Sequence, residues 1–64
     1  MTNNEKLKHS NLLLQALVGK DLSDKWWHGP NNAFGGLTPA AQWLLNPDVV
    51  YSYLLSHAYG GEYG

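Results

Sequence analysis

The stretch Pro30-Asn31-Asn32-Ala33-Phe34-Gly35-Gly36-Leu37-Thr38-Pro39 holds two of the three prolines and two of the seven glycines in the chain. Proline lacks an N–H, and glycine and asparagine readily take positive φ, so no regular helix or strand runs through it. Every regular element must end before this turn or begin after it. Phe34 and Leu37 are large apolar side chains in its middle, which predicts an ordered loop docked on the body rather than a solvated linker.

Helix signals flank the turn on both sides. Thr2-Asn3-Asn4-Glu5 has capping-box spacing and starts a helix near residue 3. Leu7, Leu14 and Val18, with Leu13 and Leu17 on an adjoining row, form its apolar stripe, and Gly19 is placed to end it. Asn11 interrupts that stripe and Leu12 lies off it, so the helix is expected to be covered on more than one side, as by a partner helix or second subunit. A short second helix is predicted over Asp21–His28, with Asp21 or Ser23 as its cap and Gly29-Pro30 as its end. Thr38-Pro39 opens a third helix of less than two turns, and Asn46-Pro47-Asp48 repeats the device for a fourth from Asp48 to about Tyr59, ended by Gly60-Gly61. On the fourth helix Val50, Leu54, His57 and Ala58 share a face, with Tyr51 and Leu55 beside it. No stretch alternates in the manner of a half-buried strand. The predicted class is all-α: a small single-domain bundle of three to four short helices around an ordered Pro/Asn/Gly loop.

A chain of 64 residues has little core to build with, since a domain near this size buries only about 60% of the surface its unfolded form exposes. That leaves no slack for a catalytic cleft. The eight aromatic residues, three Trp, four Tyr and one Phe, supply large areas for so small a centre. Trp26, Trp27, Phe34 and Trp43 are therefore read chiefly as core. Trp26 and Trp27 are neighbours, however, and on a helix neighbours point about 100° apart, which leaves one of them for a partner.

All the positive charge, Lys6, Lys8, Lys20 and Lys25, lies in the first 25 residues, and from Trp26 onward the only formal charges are Asp48 and Glu62. Without arginine or a basic cluster, direct nucleic-acid binding is not expected. Five dispersed carboxylates make no continuous acidic stripe either. An uncharged, ring-rich second half suits a protein interface, whose centre is depleted of charge and enriched in aromatics. The absence of cysteine fits a reducing compartment, and the polar N-terminus lacks an apolar signal core. A cytoplasmic protein that does not span a membrane is expected. His9, His28 and His57 have no metal-ligand spacing, and Gly35-Gly36 follows no strand and precedes no lysine, so neither a metal, a cofactor nor catalysis is expected.

The run Trp26-Trp27-His28-Gly29-Pro30-Asn31-Asn32-Ala33-Phe34-Gly35-Gly36-Leu37-Thr38-Pro39, followed by Leu44-Leu45, Val49-Val50-Tyr51, Leu54-Leu55 and Tyr59-Gly60, resembles the toxin-binding domain of Xre/MbcA/ParS-type antitoxins. The resemblance covers residues 26–64, with residues 1–25 as an N-terminal helical arm. It implies a non-enzymatic helical module that neutralises a toxin enzyme of the NAD-consuming kind by occupying its active site, often with the C-terminal tail. Carried onto this chain, the tail Tyr59, Gly60, Gly61, Glu62 and Tyr63 binds the partner, and Trp26 and Trp27 are added as partner-binding candidates because one of two adjacent rings is left over from the core. Pro30, Asn31, Phe34, Gly35, Gly36, Thr38, Pro39, Asn46 and Pro47 form the structural loop and caps. Two features depart from the family pattern: Trp27 stands where an aliphatic residue is usual, and Trp43 is additional. The arm has one good helix and no arginine, so the family's usual helix-turn-helix is not implied. A phage or mobile-element inhibitor of bacterial host defence, in the style of an anti-CRISPR protein that binds a Cas effector complex, is the alternative by analogy of size. Homo-oligomerisation through Leu12-Leu13-Leu14 is a third possibility.

Overall fold

A computed structural model of the chain describes residues 1–59. Four helices, α1 (Asn3–Val18), α2 (Lys20–Trp26), α3 (Pro39–Leu45) and α4 (Pro47–Tyr59), are joined in that order, with one 3-10 turn (Asn32–Phe34) between α2 and α3. There is no strand among the described residues. The chain is a small all-α domain.

Each helix start is a local satisfaction of backbone donors that the helix itself leaves unpaired. At α1, Thr2 Oγ1 accepts from Glu5 N at 3.1 Å and Glu5 Oε1 accepts from Thr2 N at 2.7 Å, which closes the capping box. At α3, Pro39 has no donor to satisfy, Ala40 N donates to the Trp27 carbonyl and Ala41 N donates to Thr38 Oγ1. At α4, Asn46 accepts twice, from Asp48 N through its side chain and from Val49 N through its carbonyl. The α4 helix includes Pro47 as its first residue, one position earlier than the sequence reading placed it.

The second helix departs further from that reading. It begins at Lys20, immediately after α1, and neither Asp21 nor Ser23 caps it. Gly19 ends one helix and starts the next at φ 87° and ψ 163°, donating back to the Gln15 carbonyl and accepting from Ser23 N. Because the shared glycine already bonds in both directions, a side-chain cap has no place, and Ser23 is carried into the buried face of α2.

The core is Leu14, Phe34, Val50 and Leu54, with Leu13, Trp26, Trp27, Trp43 and Tyr53 packed around it. The arm is thus not detached: α1 supplies Leu14 to the same core and packs on both α4 and α2. Its stripe is narrower than its sequence suggested, since Leu17 and Val18 are exposed while Ser10 is buried and returns its hydroxyl to the Lys6 carbonyl. Of Leu12-Leu13-Leu14, the last is in the core, Leu13 packs against it and only Leu12 is exposed. On α4, Val50 and Leu54 are buried, but His57 on the same predicted face is exposed. The expected end of α4 at Gly60-Gly61 lies outside the described residues.

The central loop is ordered as its composition predicts. Asn31 organises it: its side chain accepts from Ala33 N, its carbonyl accepts from Phe34 N and Gly36 N, and its own N–H donates to the Leu37 carbonyl. Gly35 ends the 3-10 turn in the left-handed region at φ 65°, where a side chain would be strained. Phe34 is buried as expected, whereas Leu37, whose carbonyl and N–H both serve the bonds that close the loop, is 40% exposed.

Candidate partner-binding surface

The two adjacent tryptophans divide the molecule's aromatic residues between two places. Trp26 leaves the end of α2 toward α4, stacking on Tyr53 at an interplanar angle of 18° and meeting Phe34 edge-on at 80°. Tyr53 in turn touches Phe34 and His57, so this side is a continuous ring cluster. Trp27 points toward α1 and α3, where its Nε1–H donates to Asn11 Oδ1 at 2.7 Å and its ring meets Trp43 at 79° with centroids 5.8 Å apart. Both tryptophans are half-buried.

Beyond Trp27 and Trp43 opens a cleft of about 490 Å³. Leu7 of α1 and Ala40 of α3 line it with the two indoles, and Asp24 and His28, one helical turn apart, stand on its α2 side. So short a chain encloses few side chains, and the two tryptophans wall an open concavity instead of filling a closed core. A smaller groove of about 250 Å³ lies on the opposite side of Trp26, floored by Leu14 and Leu54 and edged by His57.

The α3–α4 corner presents the second feature. Leu44 is 87% and Leu45 73% exposed at the end of α3, and Val49 is exposed on the first turn of α4. Tyr59, at the end of α4, is also exposed. Two adjacent leucines in water make an exposed apolar patch at this corner.

Of the anticipated partner-binding residues, the structure places Trp27 in the larger cleft, Trp26 in the ring cluster and Tyr59 on the surface. Gly60, Gly61, Glu62 and Tyr63 lie outside the described residues. Asn31, Phe34, Thr38, Pro39, Asn46 and Pro47 hold the loop and caps, with Pro30 leading in and Gly35 and Gly36 turning at positive φ. Asp24 and Asn11 had no signal as site residues: a lone Asp on a short helix reads as a solvated charge, and Asn11 reads as a flaw in the α1 stripe. The tertiary pairing with Trp27 gives Asn11 its reason. Among the described residues no group of three or more His, Asp or Glu side chains is placed to hold a metal, and no helix is long and apolar enough to cross a membrane.

The sequence matches no protein-family model, and neither the curated proteins nor the solved structures contain a significant match to it.

Proposed function

We propose that this chain is a non-enzymatic binding module that inhibits a partner protein by covering a functional surface of it, as the resemblance to antitoxin toxin-binding domains implies. The observation that carries the reading is the fully presented pair Leu44 and Leu45 at the α3–α4 corner, at 87% and 73% exposure. Burying one leucine side chain is worth roughly 1.5–3 kcal/mol, so two adjacent ones can anchor a contact. The second half of the chain contributes almost no charge to the surface, which limits the desolvation cost of covering it.

In this reading the partner is a toxin enzyme of bacterial cytoplasm, and the tail beyond Tyr59 enters its active site. The reading is tested by co-expression with the enzyme encoded beside the gene, with the enzyme's activity as readout. Inhibition is expected from the full chain, with loss in a double variant carrying Leu44→Asp and Leu45→Asp and in a chain shortened by residues 60–64. Full inhibition by both variants would overturn it. An inhibitor of a host defence complex is the second reading, by analogy of size. Co-purification of a large multisubunit complex, with no effect on the neighbouring enzyme, would select it.

A further inference from the structure

We infer that the cleft between α1, α2 and α3 is a receptor for a lysine side chain presented by the partner, with Trp27 and Trp43 receiving its ammonium and stem and Asp24 setting the charge. The inference rests on the protein-binding reading and names the chemistry the partner must bring. It starts from the ring geometry. The two indoles stand at 79° with centroids 5.8 Å apart, so two ring faces border one corner. A ring face carries negative potential and attracts a cation within about 6 Å of its centre.

Charge complementarity selects the sign. Asp24 is the one carboxylate lining the cleft, and no lysine lines it. Among the described residues the only ion pair is Lys6–Asp48, so Lys20, one turn before Asp24 on α2, makes no ion pair with it. The other polar wall group, the Asn11 side-chain oxygen, is already engaged by the Trp27 Nε1–H. A cation entering the cleft therefore meets one unpaired carboxylate and two ring faces. His28 also borders the cleft.

Shape selects lysine over arginine. A planar guanidinium stacks flat on one ring and matches a carboxylate with two parallel bonds. Two rings at nearly a right angle cannot both be stacked by one plane. A compact ammonium on a four-carbon stem can reach into the corner while its methylenes lie along Leu7 and Ala40. At about 490 Å³ the cleft has ample room for a lysine side chain and part of the segment that carries it. Leu44 and Leu45, though next to Trp43 in sequence, do not line the cleft, so the lysine is received by the cleft's own walls.

The test titrates the full chain with N-acetyl-lysine amide, N-acetyl-norleucine amide and N-acetyl-arginine amide at about pH 8, above the range in which histidine ordinarily titrates. The readout is the indole N–H resonances of Trp26, Trp27 and Trp43 by two-dimensional NMR. The lysine probe is expected to shift Trp27 and Trp43 but not Trp26, with roughly millimolar affinity and roughly tenfold preference over norleucine. Asp24→Asn is expected to reduce that preference at least threefold while leaving the remaining spectrum unchanged. Equal binding of norleucine and lysine would overturn the inference, as would tighter binding of arginine, or shifts confined to Trp26. No partner is present in the titration, so a failed inhibition assay with a successful titration sinks only the inhibitory reading, and the reverse sinks only the lysine receptor.

Discussion

Ser23 is completely buried within α2, and its hydroxyl finds no hydrogen-bond partner among the described residues. A buried hydroxyl without a partner carries its desolvation cost uncompensated, and serine is also a weaker helix former than alanine. Ser23→Ala is accordingly expected to raise stability by about 1 kcal/mol in urea denaturation. Asn11 is the opposite case. Its side-chain oxygen accepts the Trp27 indole N–H at 2.7 Å, tying the end of α2 to the middle of α1. N11L strands that donor and is expected to cost about 1–2 kcal/mol. In the double variant N11L/W27F donor and acceptor leave together, so the measured cost should fall short of the summed single costs by at least about 0.5 kcal/mol. Strict additivity would show that the bond contributes nothing.

At the scale of elements, Gly19 makes two helices of what would otherwise be one. Its φ of 87° with ψ of 163° lies in a region open almost only to glycine, and a Cβ built there meets nothing within 4 Å. The cost of a side chain is therefore conformational and not steric. Gly19→Ala is expected to lose about 1–3 kcal/mol, whereas D-alanine, placed by chemical synthesis, should be neutral or stabilising. The capping box of α1 adds a pH dependence. Hydrogen bonds from the Thr2 backbone and then its side chain hold the Glu5 carboxyl below its ordinary value of 4.5. A lowered folded-state value means the contribution is complete above the ordinary pKa and is lost as pH falls through the lowered one. Helical circular dichroism near the denaturation midpoint should fall on acidification below about 4.5 more steeply in the wild type than in E5Q, which keeps the bond but does not titrate.

The helix starts at Thr2, Thr38 and Asn46 were legible because a cap is a contract between residues two or three apart, and the central loop was legible because proline and glycine restrict the backbone wherever they occur. The start of α2 was not, since one glycine serves two helices and no side chain announces it. The candidate site was less legible still. That Trp26 joins Tyr53 while Trp27 faces Trp43 depends on where α3 and α4 lie, which no local pattern around residues 26 and 27 encodes. Asn11 and Asp24 acquire meaning only once the tryptophans are in place.

For the whole molecule, the decisive fact is how little is enclosed: among the described residues five apolar side chains, Leu14, Phe34, Pro39, Val50 and Leu54, are buried, and α3 joins α1 and α4 there through Pro39 and the partly buried Trp43. Typical stability per residue gives a chain of 64 residues about 3–10 kcal/mol in total. Leu54, 1% exposed at the centre of α4, is expected to cost about 2–5 kcal/mol on Leu54→Ala, through lost burial plus the cavity left behind. The ion pair between Lys6 and Asp48 at 2.6 Å also joins α1 to α4, but Asp48 is 66% exposed and a solvent-screened pair is worth at most about 1 kcal/mol. Lys6→Ala should therefore shift the cooperative urea transition only slightly, while Leu54→Ala should move its midpoint several times further down, both read by near-ultraviolet circular dichroism of the tryptophans. If the two variants were equally stable, the fold would be held by its surface, and the Trp27/Trp43 cleft would have no rigid wall on which to receive anything.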